Sequence, residues 1–402
     1  MALDDLTKKL DSDGRLPPVK LEVFPLDATG FNRGRPFTIE RFTSYSFSSS
    51  ILVPVDTFSF SFRPEPPTQA DRSTFYDRIV REGDTVQLTV DGEAIATGYI
   101  DARDTDTDVD TGVTLQLQGR DLMGFLEDND AVNPDATILW ANTANINDVL
   151  PALLRNTRIR GFETRNIDRN VKSLFATNPG ESKLAALQRF LDPLNAIAWM
   201  TGGGKLVCGK PSFDGASQGT LGVRSFDRVS NVLKMRAHRA SGQIPNAVLS
   251  IWTGNETVQT VISKKQMKLN AADGPSRLYK AGHRIYRTLA TSAPDANDTK
   301  SGLTEVQRLI SQGANYLDSL AAREIARENI NELIVTCTVV GHLNANGDPF
   351  APDQCYDIVH DADGIDEKMY LFGVEYGLSE DSGQVTHLSF CRLNTIVAEG
   401  PT

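Results

Sequence analysis

The chain has 402 residues, of which 40% are hydrophobic and 23% charged, and its formal net charge is −11. A chain of this length exceeds one ordinary core and predicts roughly two to four domains. The composition is typical of a soluble globular protein, and apolar runs such as LIVTCTVV (333–340) fall short of the roughly 18 residues of a membrane span. The acidic balance argues against a protein that holds nucleic-acid phosphates through clustered Lys and Arg, although DNA could pass such a surface without sticking.

The start of the chain and its cysteines indicate an intracellular origin. The segment MALDDLTKKLDSDG has no apolar stretch of the kind that secretory signals carry, so we predict cytoplasmic synthesis. The four cysteines are scattered without a C-x-x-C pair, and three of them lie in strand-like apolar runs. We therefore predict buried thiols, and neither a disulfide nor a zinc site.

Residues 17–120 carry the alternating pattern of strands. VKLEVF (19–24), TSYSFSSS (43–50) and TFSFSF (57–62) place apolar residues at every second position. TVQLTV alternates in the same way, and Asp91-Gly92 after it predicts a type I′ hairpin turn. Regularly spaced short strands predict a first β-barrel domain over 17–120, preceded by an N-terminal extension over 1–16.

The apolar spacing becomes helical after residue 121. DLMGFLED, NINDVLPALLRN and NPGESKLAALQRFLDP each predict a helix. For the last of these we predict Asn178 as N-cap, Pro179 as the first helical residue, Glu181 in a capping box and Pro193 as the end. NAIAWM, TGGG and KLVCGK then predict a hairpin, because TGGGKL lacks the spacing of a phosphate-binding loop. Together these elements predict a small α+β domain over 121–212.

Residues 213–402 predict a second β-barrel domain. SNVLKMRAHRA and NAVLSIWTG are strand candidates, 263–303 is polar and aperiodic and predicts a loop-rich insertion, and 304–329 predicts a long helix. Four more strand patterns follow: ELIVTCTVVGH, QCYDIVH, KMYLFGVEYGL and VTHLSFCRL. The predicted fold class is α+β, mostly β, with two antiparallel β-barrel-like modules, an intervening α+β unit and a long helix packed on the second module.

Motifs for catalysis or metal binding are weak. The acidic loop RDTDTDVDTG (103–112) lacks the glycine and glutamate of an EF-hand, so a solvated hairpin is favoured over a calcium site. The five histidines are isolated from any nucleophile motif. A glycosidase needs only two carboxylates and leaves no local signature, so that class stays open. We predict no catalytic, cofactor-binding or metal-binding residue.

The segment LQGRDLMGFLEDND (117–130) is acidic enough to suggest a site. Arg120 and Asp121 follow an alternating strand and precede an apolar stripe at helical spacing. Asp121 is therefore predicted to stabilise the exposed N–H groups of a helix start, and Gly119 to relax the turn before it. We interpret the segment as a structural joint, in which Arg120 pairs with Asp121 or a nearby acid.

Two segments together resemble a known family. GRDLMGFLEDND after a hairpin, and NPGESKLAALQRFLDPLNAIAWMTGGGKLVCGKP further on, are similar to the baseplate hub proteins of contractile-tailed phages, in particular the Mu-like tail protein family. The resemblance covers most of residues 17–392. The residues that carry it are structural: Gly119, Arg120, Asp121, Gly180, Glu181 and Ser182.

The resemblance implies a structural protein and not an enzyme. Such hubs are homotrimers in which two similar barrels per subunit give a pseudo-sixfold ring that joins a hexameric tail tube to a trimeric central spike. The implied partners are the tube protein, the spike protein and other baseplate (wedge) proteins, with DNA passing unbound and no membrane contact. The implied location is the tail baseplate of the virion, with assembly in the host cytoplasm. The alternative is a cell-wall glycan hydrolase or carbohydrate-binding module of a tail.

Overall fold

The computed structural model describes residues 16–26, 36–64, 80–109, 112–131, 142–159, 161–167, 169, 173–175, 177, 180–194, 196–223, 230–240, 247–253, 261–266, 286–292, 330, 332–379, 381–393 and 395–396. For 142–143, 173–174, 247–253, 261–266 and 286–292 it describes the backbone alone.

The first region is built from strands whose alternate residues are buried, as the sequence pattern predicts. These strands are β1 (Val19–Phe24), β2 (Phe37–Ile39), β3 (Ser44–Ser50), β4 (Thr57–Phe62), β5 (Thr85–Val90), β6 (Glu93–Asp108) and β7 (Gly112–Asp121). The β5–β6 turn has positive φ at Asp91 (51°) and Gly92 (85°), which is the predicted type I′ geometry.

The α+β region alternates short helices and strands around a hydrophobic core that also includes Val55 and Tyr99 of the first region. Its elements are α1 (Gly124–Asp128), β8 (Asn142–Ala144), α2 (Ile146–Leu153), β9 (Phe162–Arg165), β10 (Ser173–Phe175), α3 (Lys183–Leu191), β11 (Ile197–Met200) and β12 (Leu206–Gly209). A 3-10 turn over Asp192–Leu194 follows α3, and β11 and β12 form the predicted hairpin.

The predicted start of α3 is wrong. The helix begins at Lys183, and its N-cap is Ser182, whose side chain accepts a hydrogen bond from the backbone of Ala185. Asn178 and Pro179 lie outside the described residues. The predicted capping box occurs instead in α2, where Asn145 and Asp148 exchange side-chain and backbone hydrogen bonds.

The last region supplies the remaining strands. They are β13 (Ser217–Val223), β14 (Lys234–His238), β15 (Ala247–Thr253), β16 (Val261–Gln266), β17 (Tyr286–Ser292), β18 (Ile334–Val340), β19 (Gln354–His360), β20 (Ile365–Ser379) and β21 (Gly383–Arg392). Strands β16 and β17 flank β15 in a separate small sheet, so the interval 263–303 contains regular strand structure that its polar, aperiodic sequence did not predict. The helix predicted over 304–329 lies outside the described residues.

One large sheet joins the first and last regions. Within the described residues its order is β14-β18-β21-β20-β3-β4-β7-β6-β5-β1-β2, and β19 pairs with both β20 and β13. The connection is the antiparallel pairing of β3 with β20, where Phe47 lies opposite Tyr376. Residues of both regions share one hydrophobic core. The mostly-β fold class is therefore confirmed, and the strands of the two predicted modules are hydrogen-bonded into one continuous sheet. The domain boundaries themselves remain a prediction.

Candidate functional site

The Arg120 side chain joins β6, β7 and α1 through an ion-pair network. It donates to Asp101 through Nε (2.7 Å) and Nη2 (3.1 Å), and to Asp128 through Nη2 (2.7 Å) and Nη1 (3.1 Å). A further bond runs from Nη1 to Glu127 (3.0 Å). Hydrogen bonds to Asp101 and Asp128 raise the pKa of Arg120, and the bonds from Arg120 lower the pKa of Asp128. Among the described acids, Arg120 thus pairs with Asp101, Glu127 and Asp128 and not with its neighbour Asp121.

Asp121 is buried at the end of β7 and has a different role from its neighbour. Its Oδ1 accepts a hydrogen bond from the backbone N–H of Met123 (3.0 Å), just before α1 begins. The predicted contact with N–H groups at a helix start is therefore present. Burial, and then the charge of Asp56, raise the pKa of Asp121 well above its ordinary value.

Gly119 does not relax a turn, contrary to the sequence interpretation. It lies inside β7, where a Cβ atom would overlap the Phe58 ring and the backbone carbonyl of Tyr99. Gly98 on β6 meets the same constraint, because a Cβ there would overlap the Arg120 carbonyl and the Phe58 ring. The two glycines let the Phe58 ring pack directly on the backbone of the sheet.

The second motif organises the start of α3. Gly180 has a positive φ of 77°, which favours glycine. Glu181 accepts two hydrogen bonds from Arg189, through Nε and Nη2 at 2.8 Å each, and does not complete a capping box. Ser182 caps the helix through its bond from Ala185 (3.2 Å). The guanidinium of Arg189 also stacks over the Phe175 ring at 5.0 Å.

The structure brings the two motifs together. Asp130 and Ser182 form an antiparallel β-bridge, flanked by backbone bonds from Ala131 to Glu181 (2.8 Å) and from Lys183 to Asn129 (2.8 Å). The segment after α1 is therefore pinned to the segment before α3.

Lys183 extends this joint to a third helix. Its side chain is buried, and Nζ donates to the carbonyl of Arg155 (2.7 Å), just past the end of α2. Burial lowers the pKa of Lys183, while the carbonyl end of α2 is the end at which a cation is favoured. The joint thus links all three helices of the described α+β region.

A second contact ties the α+β region to the large sheet. Asp353 precedes β19 in a left-handed conformation (φ 68°), and its buried carboxylate pairs with Arg165 of β9. It also accepts from the Ser212 backbone (2.8 Å) and the Tyr370 hydroxyl (2.7 Å). The Arg165 guanidinium stacks over the Trp199 ring at 5.6 Å. We call the contacts of Asp353 with Arg165, Ser212 and Tyr370 the Asp353 latch.

A buried hydrogen-bond chain crosses between the two ends of the sequence. The Thr386 hydroxyl donates to the Gly341 carbonyl (2.7 Å), so its oxygen accepts from Nδ1 of His342 (2.8 Å). Nε2 of His342 then accepts from the Tyr45 hydroxyl at 2.5 Å, an assignment that follows from the network. These three hydrogen bonds therefore fix β3 to the β18–β21 part of the sheet. From the sequence alone, His342 was an isolated histidine with no predicted partner.

The hydrogen bonds and ion pairs described above join elements of the fold to one another. The polar atoms involved are bonded mainly to each other, and no group of three His, Cys, Asp or Glu among the described residues could hold a metal ion. Asp104, Asp106 and Asp108 lie exposed along β6 as one side of the long β6–β7 hairpin.

All four cysteines are buried and unpaired, and burial raises the pKa of Cys337 and Cys391 to about 12. Across the described part of the chain, no helix has the length and apolarity to cross a membrane.

Asp56, Arg165, Asp353 and Lys183 carry contacts that the sequence did not single out. The bond of Ser50 to Asp56 spans 6 residues, and that of Arg165 to Asp353 spans 188. The available signal was local: Asp353 occupies a Pro-Asp turn and Asp56 directly precedes a strand. Neither pattern predicts a partner.

Comparison with known proteins gives a domain match and a fold match. Residues 37–121 match the family described as Mu phage baseplate assembly protein GpP-like, N-terminal. No curated protein matches the chain in sequence.

Several solved structures share the fold over nearly the whole chain. A tail protein from Neisseria meningitidis MC58 superposes with a TM-score of 0.65 at 18% identity, covering 95% of this chain and 99% of that one. The 43 kDa tail protein of prophage MuSo2 from Shewanella oneidensis gives 0.67 at 15% identity, covering 94% and 99%. The E. coli c3393 protein gives 0.52 at 8% identity, covering 95% and 79%; it is described as a type VI secretion component structurally similar to T4 tail proteins gp27 and gp5.

The matched domain ends at Asp121, so it includes Gly119, Arg120 and Asp121 and the strands β2 to β7. The structural matches extend the likeness of fold to the α+β region and the second half of the sheet. The predicted resemblance to baseplate proteins of Mu-like tails is therefore confirmed: residues 37–121 match that family's N-terminal domain, and the chain has the fold of phage tail proteins.

Proposed function

We propose that the chain is a structural baseplate hub protein of a contractile phage tail, forming a homotrimeric pseudo-sixfold ring that joins the hexameric tail tube to the trimeric central spike. The observation that carries this proposal is the match of residues 37–121 to a baseplate assembly family. A fold shared with two tail proteins over 99% of their lengths supports it.

The arrangement of the sheet supports the pseudo-sixfold ring. Strands from both ends of the sequence contribute to one sheet, so one subunit presents two β-regions side by side. Three such subunits would offer six β-regions to a hexameric partner. The net charge of −11 suits a ring through which DNA passes without being held.

The two motifs act in this proposal as the joint of the hub subunit. Gly119, Arg120 and Asp121 end the β-region, and Gly180, Glu181 and Ser182 start the main helix of the α+β region. The β-bridge between Asp130, which follows α1, and Ser182 fixes how one region leads into the other. The joint would keep the tube-facing and spike-facing parts of each subunit in a constant relation.

The ring is tested by the mass of the purified full chain in solution. Light scattering of the chain alone is expected to give three times the mass of one chain, and a larger mass once added tube or spike protein binds the trimer. Binding to immobilised tube protein and to spike protein should be measured on the same preparation. A monodisperse monomer that binds neither protein would overturn the proposal.

The absence of enzymatic activity is part of the proposal. Peptidoglycan digestion by the purified chain is expected to equal that of buffer. Digestion that a single Asp or Glu substitution abolishes would instead favour the glycan hydrolase, and the comparisons give that alternative no support. The proposed location is the tail baseplate of the virion, after assembly in the host cytoplasm together with wedge proteins.

A further inference from the structure

Two buried carboxyl groups lie beside each other where the large sheet meets α1. The backbone N–H of Asp121 donates to the carbonyl of Asp56 (3.0 Å), so the two residues are direct neighbours. Asp56 is 8% exposed and Asp121 4% exposed. Oδ2 of Asp121 is buried without a hydrogen-bond partner. A carboxylate oxygen in that position is costly as an anion, and a proton removes much of the cost.

Backbone and hydroxyl groups among the described residues donate hydrogen bonds to the pair. Asp56 accepts bonds from the Ser50 backbone (3.0 Å) and the Ser49 hydroxyl, and Asp121 from the backbone of Asp56, Met123 and Gly124. The influences on both carboxyl groups are burial, these donors and, for Asp121, the charge of Asp56. The site therefore favours protonated carboxyl groups over two charges.

Titratable groups on the neighbouring elements are engaged with one another. Those nearest the joint of β6, β7 and α1 include Tyr99, Asp101, Arg120, Glu127 and Asp128. Arg120 binds the three acids of this set, and the Tyr99 hydroxyl donates to Asp128 at 3.3 Å. On β20, Glu375 is exposed opposite Ser48 of β3. The bonds of Arg120 therefore go to acids outside the pair.

Asp56 also holds the loop between β3 and β4. Ser50 donates to Asp56, and its own carbonyl and hydroxyl accept from Val53 (3.2 Å) and Leu52 (3.2 Å). Ile51 is buried and donates to the Phe372 carbonyl of β20 (3.0 Å). Leu52 and Val53 project outwards and are 41% and 54% exposed. The buried pair thus forms the base of a loop that presents two aliphatic side chains.

We propose that Asp56 and Asp121 form a proton-holding pair that controls the β3–β4 loop: while protonated they keep the loop closed on the sheet, and their ionisation loosens it together with the start of α1. The position of the exposed side chains of Leu52 and Val53 on this loop therefore depends on pH. This pH dependence goes beyond the proposed function, because a hub that assembles normally need not have it.

The direction of the pH effect follows from where the proton is held. Burial raises the pKa of Asp56 to about 7, and burial with the charge of Asp56 raises the pKa of Asp121. In an opened loop both groups return towards the ordinary value of about 3.9, so the closed state binds more protons. Closure is therefore complete below about pH 4 and weakens as pH rises to about 7 and beyond, by about tenfold per pH unit for each proton held.

The test is hydrogen exchange of the full chain, measured by mass spectrometry from pH 5 to 8 and corrected for the intrinsic exchange rate. In the unsubstituted protein, protection of peptides covering 50–56 is expected to fall by at least about tenfold per pH unit between pH 5 and 7. In Asp121→Asn the amide keeps the acceptor for Met123 and gives Asp56 a neutral donor, so the slope should flatten. Asp56→Asn should flatten it as well.

Asp91→Asn is the matched control, because Asp91 is exposed in a turn whose positive φ asparagine also tolerates. It should keep the steep slope of the unsubstituted protein. Loop protection that is independent of pH in the unsubstituted protein would overturn the proposal. So would an Asp121→Asn or Asp56→Asn protein as steep as the control, and either variant suffices if the other fails to fold.

Discussion

Arg120 offsets the repulsion among three carboxylates that different elements bring to one place. Its side chain is 25% exposed and those of Glu127 and Asp128 about half exposed, so water screens each pair. Isolated exposed pairs contribute roughly 0.2–1 kcal/mol, and the forked bonds to two acids place this network above that range. Arg120→Ala is therefore expected to lower the free energy of unfolding by about 1–2 kcal/mol, measured by denaturant titration.

Two further variants distinguish the stability lost with the Arg120 ion pairs from the effect of simply removing a positive charge. Arg120→Lys keeps the charge without the planar fork and should give an intermediate loss. Arg236→Ala removes an exposed cation on β14 and should change stability by less than about 0.5 kcal/mol. Equal stability of Arg120→Ala and the unsubstituted protein would show that the network contributes nothing measurable.

Gly119 is constrained by space and not by its backbone angles. A methyl group there would overlap the Phe58 ring and the Tyr99 carbonyl, which belong to the two flanking strands and cannot both move away. Gly119→Ala is expected to cost about 2 kcal/mol or more, because overpacking between strands forces backbone shifts. Gly203→Ala is the control, since a Cβ at Gly203 meets no atom within 4 Å. Thermal melting compares the two, and equal melting temperatures would contradict the packing argument.

At the scale of elements, the Asp353 latch holds the α+β region against the large sheet. Replacing Asp353 with alanine leaves the buried Tyr370 hydroxyl and the Ser212 N–H without this acceptor, and Arg165 without this carboxylate. Breaking a buried pair of this kind costs about 3 kcal/mol or more. Asp353→Ala is therefore expected to make the α+β region melt before the sheet, as a separate calorimetric transition. Asp353→Asn keeps an acceptor, and asparagine tolerates the left-handed backbone, so this variant should lose less stability than Asp353→Ala.

The result that would contradict this role is a single transition for Asp353→Ala at an unchanged temperature. Arg165→Ala provides the matched comparison from the other side of the contact. It removes the charge pair and the stacking on Trp199 but leaves the acceptor for Ser212 and Tyr370 in place. The stability lost in Arg165→Ala should therefore be smaller than the stability lost in Asp353→Ala.

Elements were predictable from sequence where the signal is local. Alternation in TFSFSF and the Asp91-Gly92 turn predicted strands and a hairpin because side-chain direction and backbone handedness act within a few residues. The start of α3 was not predictable in this way, since Asn178 and Ser182 are both good caps. The choice of Ser182 depends on its bridge to Asp130, 52 positions earlier in the chain, and on the capture of Glu181 by Arg189.

The partners of Arg120 show the same limit. Strand β6 shifts register between Ile100 and Ala102, so Asp101 is an extra residue in the ladder. A bulge of this kind re-aims a side chain, and here the Asp101 carboxylate meets the Arg120 guanidinium. A bulge has no reliable sequence signature, so the sequence could predict that Arg120 pairs with an acid but not which one.

At the scale of the whole molecule, the pairing of β3 with β20 makes one sheet from two distant parts of the sequence. Tyr45 and Phe47 of β3 pack with His342 and Tyr376, at ring-centroid distances of 5.7 and 5.8 Å. These contacts join residues about 300 positions apart. Periodicity assigned strands to each half and predicted two β-barrel-like modules, but it carried no information on the pairing between them.

The shared sheet predicts that residues 17–120 will not fold alone, although they were delimited as a domain by sequence pattern. Cutting the chain there removes β20 from the edge of β3, which exposes an unpaired strand edge and the aromatic side chains Tyr45 and Phe47. Exposed apolar edges of this kind lead to aggregation. The expressed fragment is therefore expected to be unfolded or aggregated by circular dichroism and light scattering, while the full chain is folded under the same conditions. Substituting Tyr45 and Phe47 with serine should improve the fragment's solubility without restoring cooperative unfolding. A monomeric 17–120 fragment that unfolds cooperatively would instead show that the first β-region carries its own core, and that its pairing with β20 is a docking contact and not part of folding.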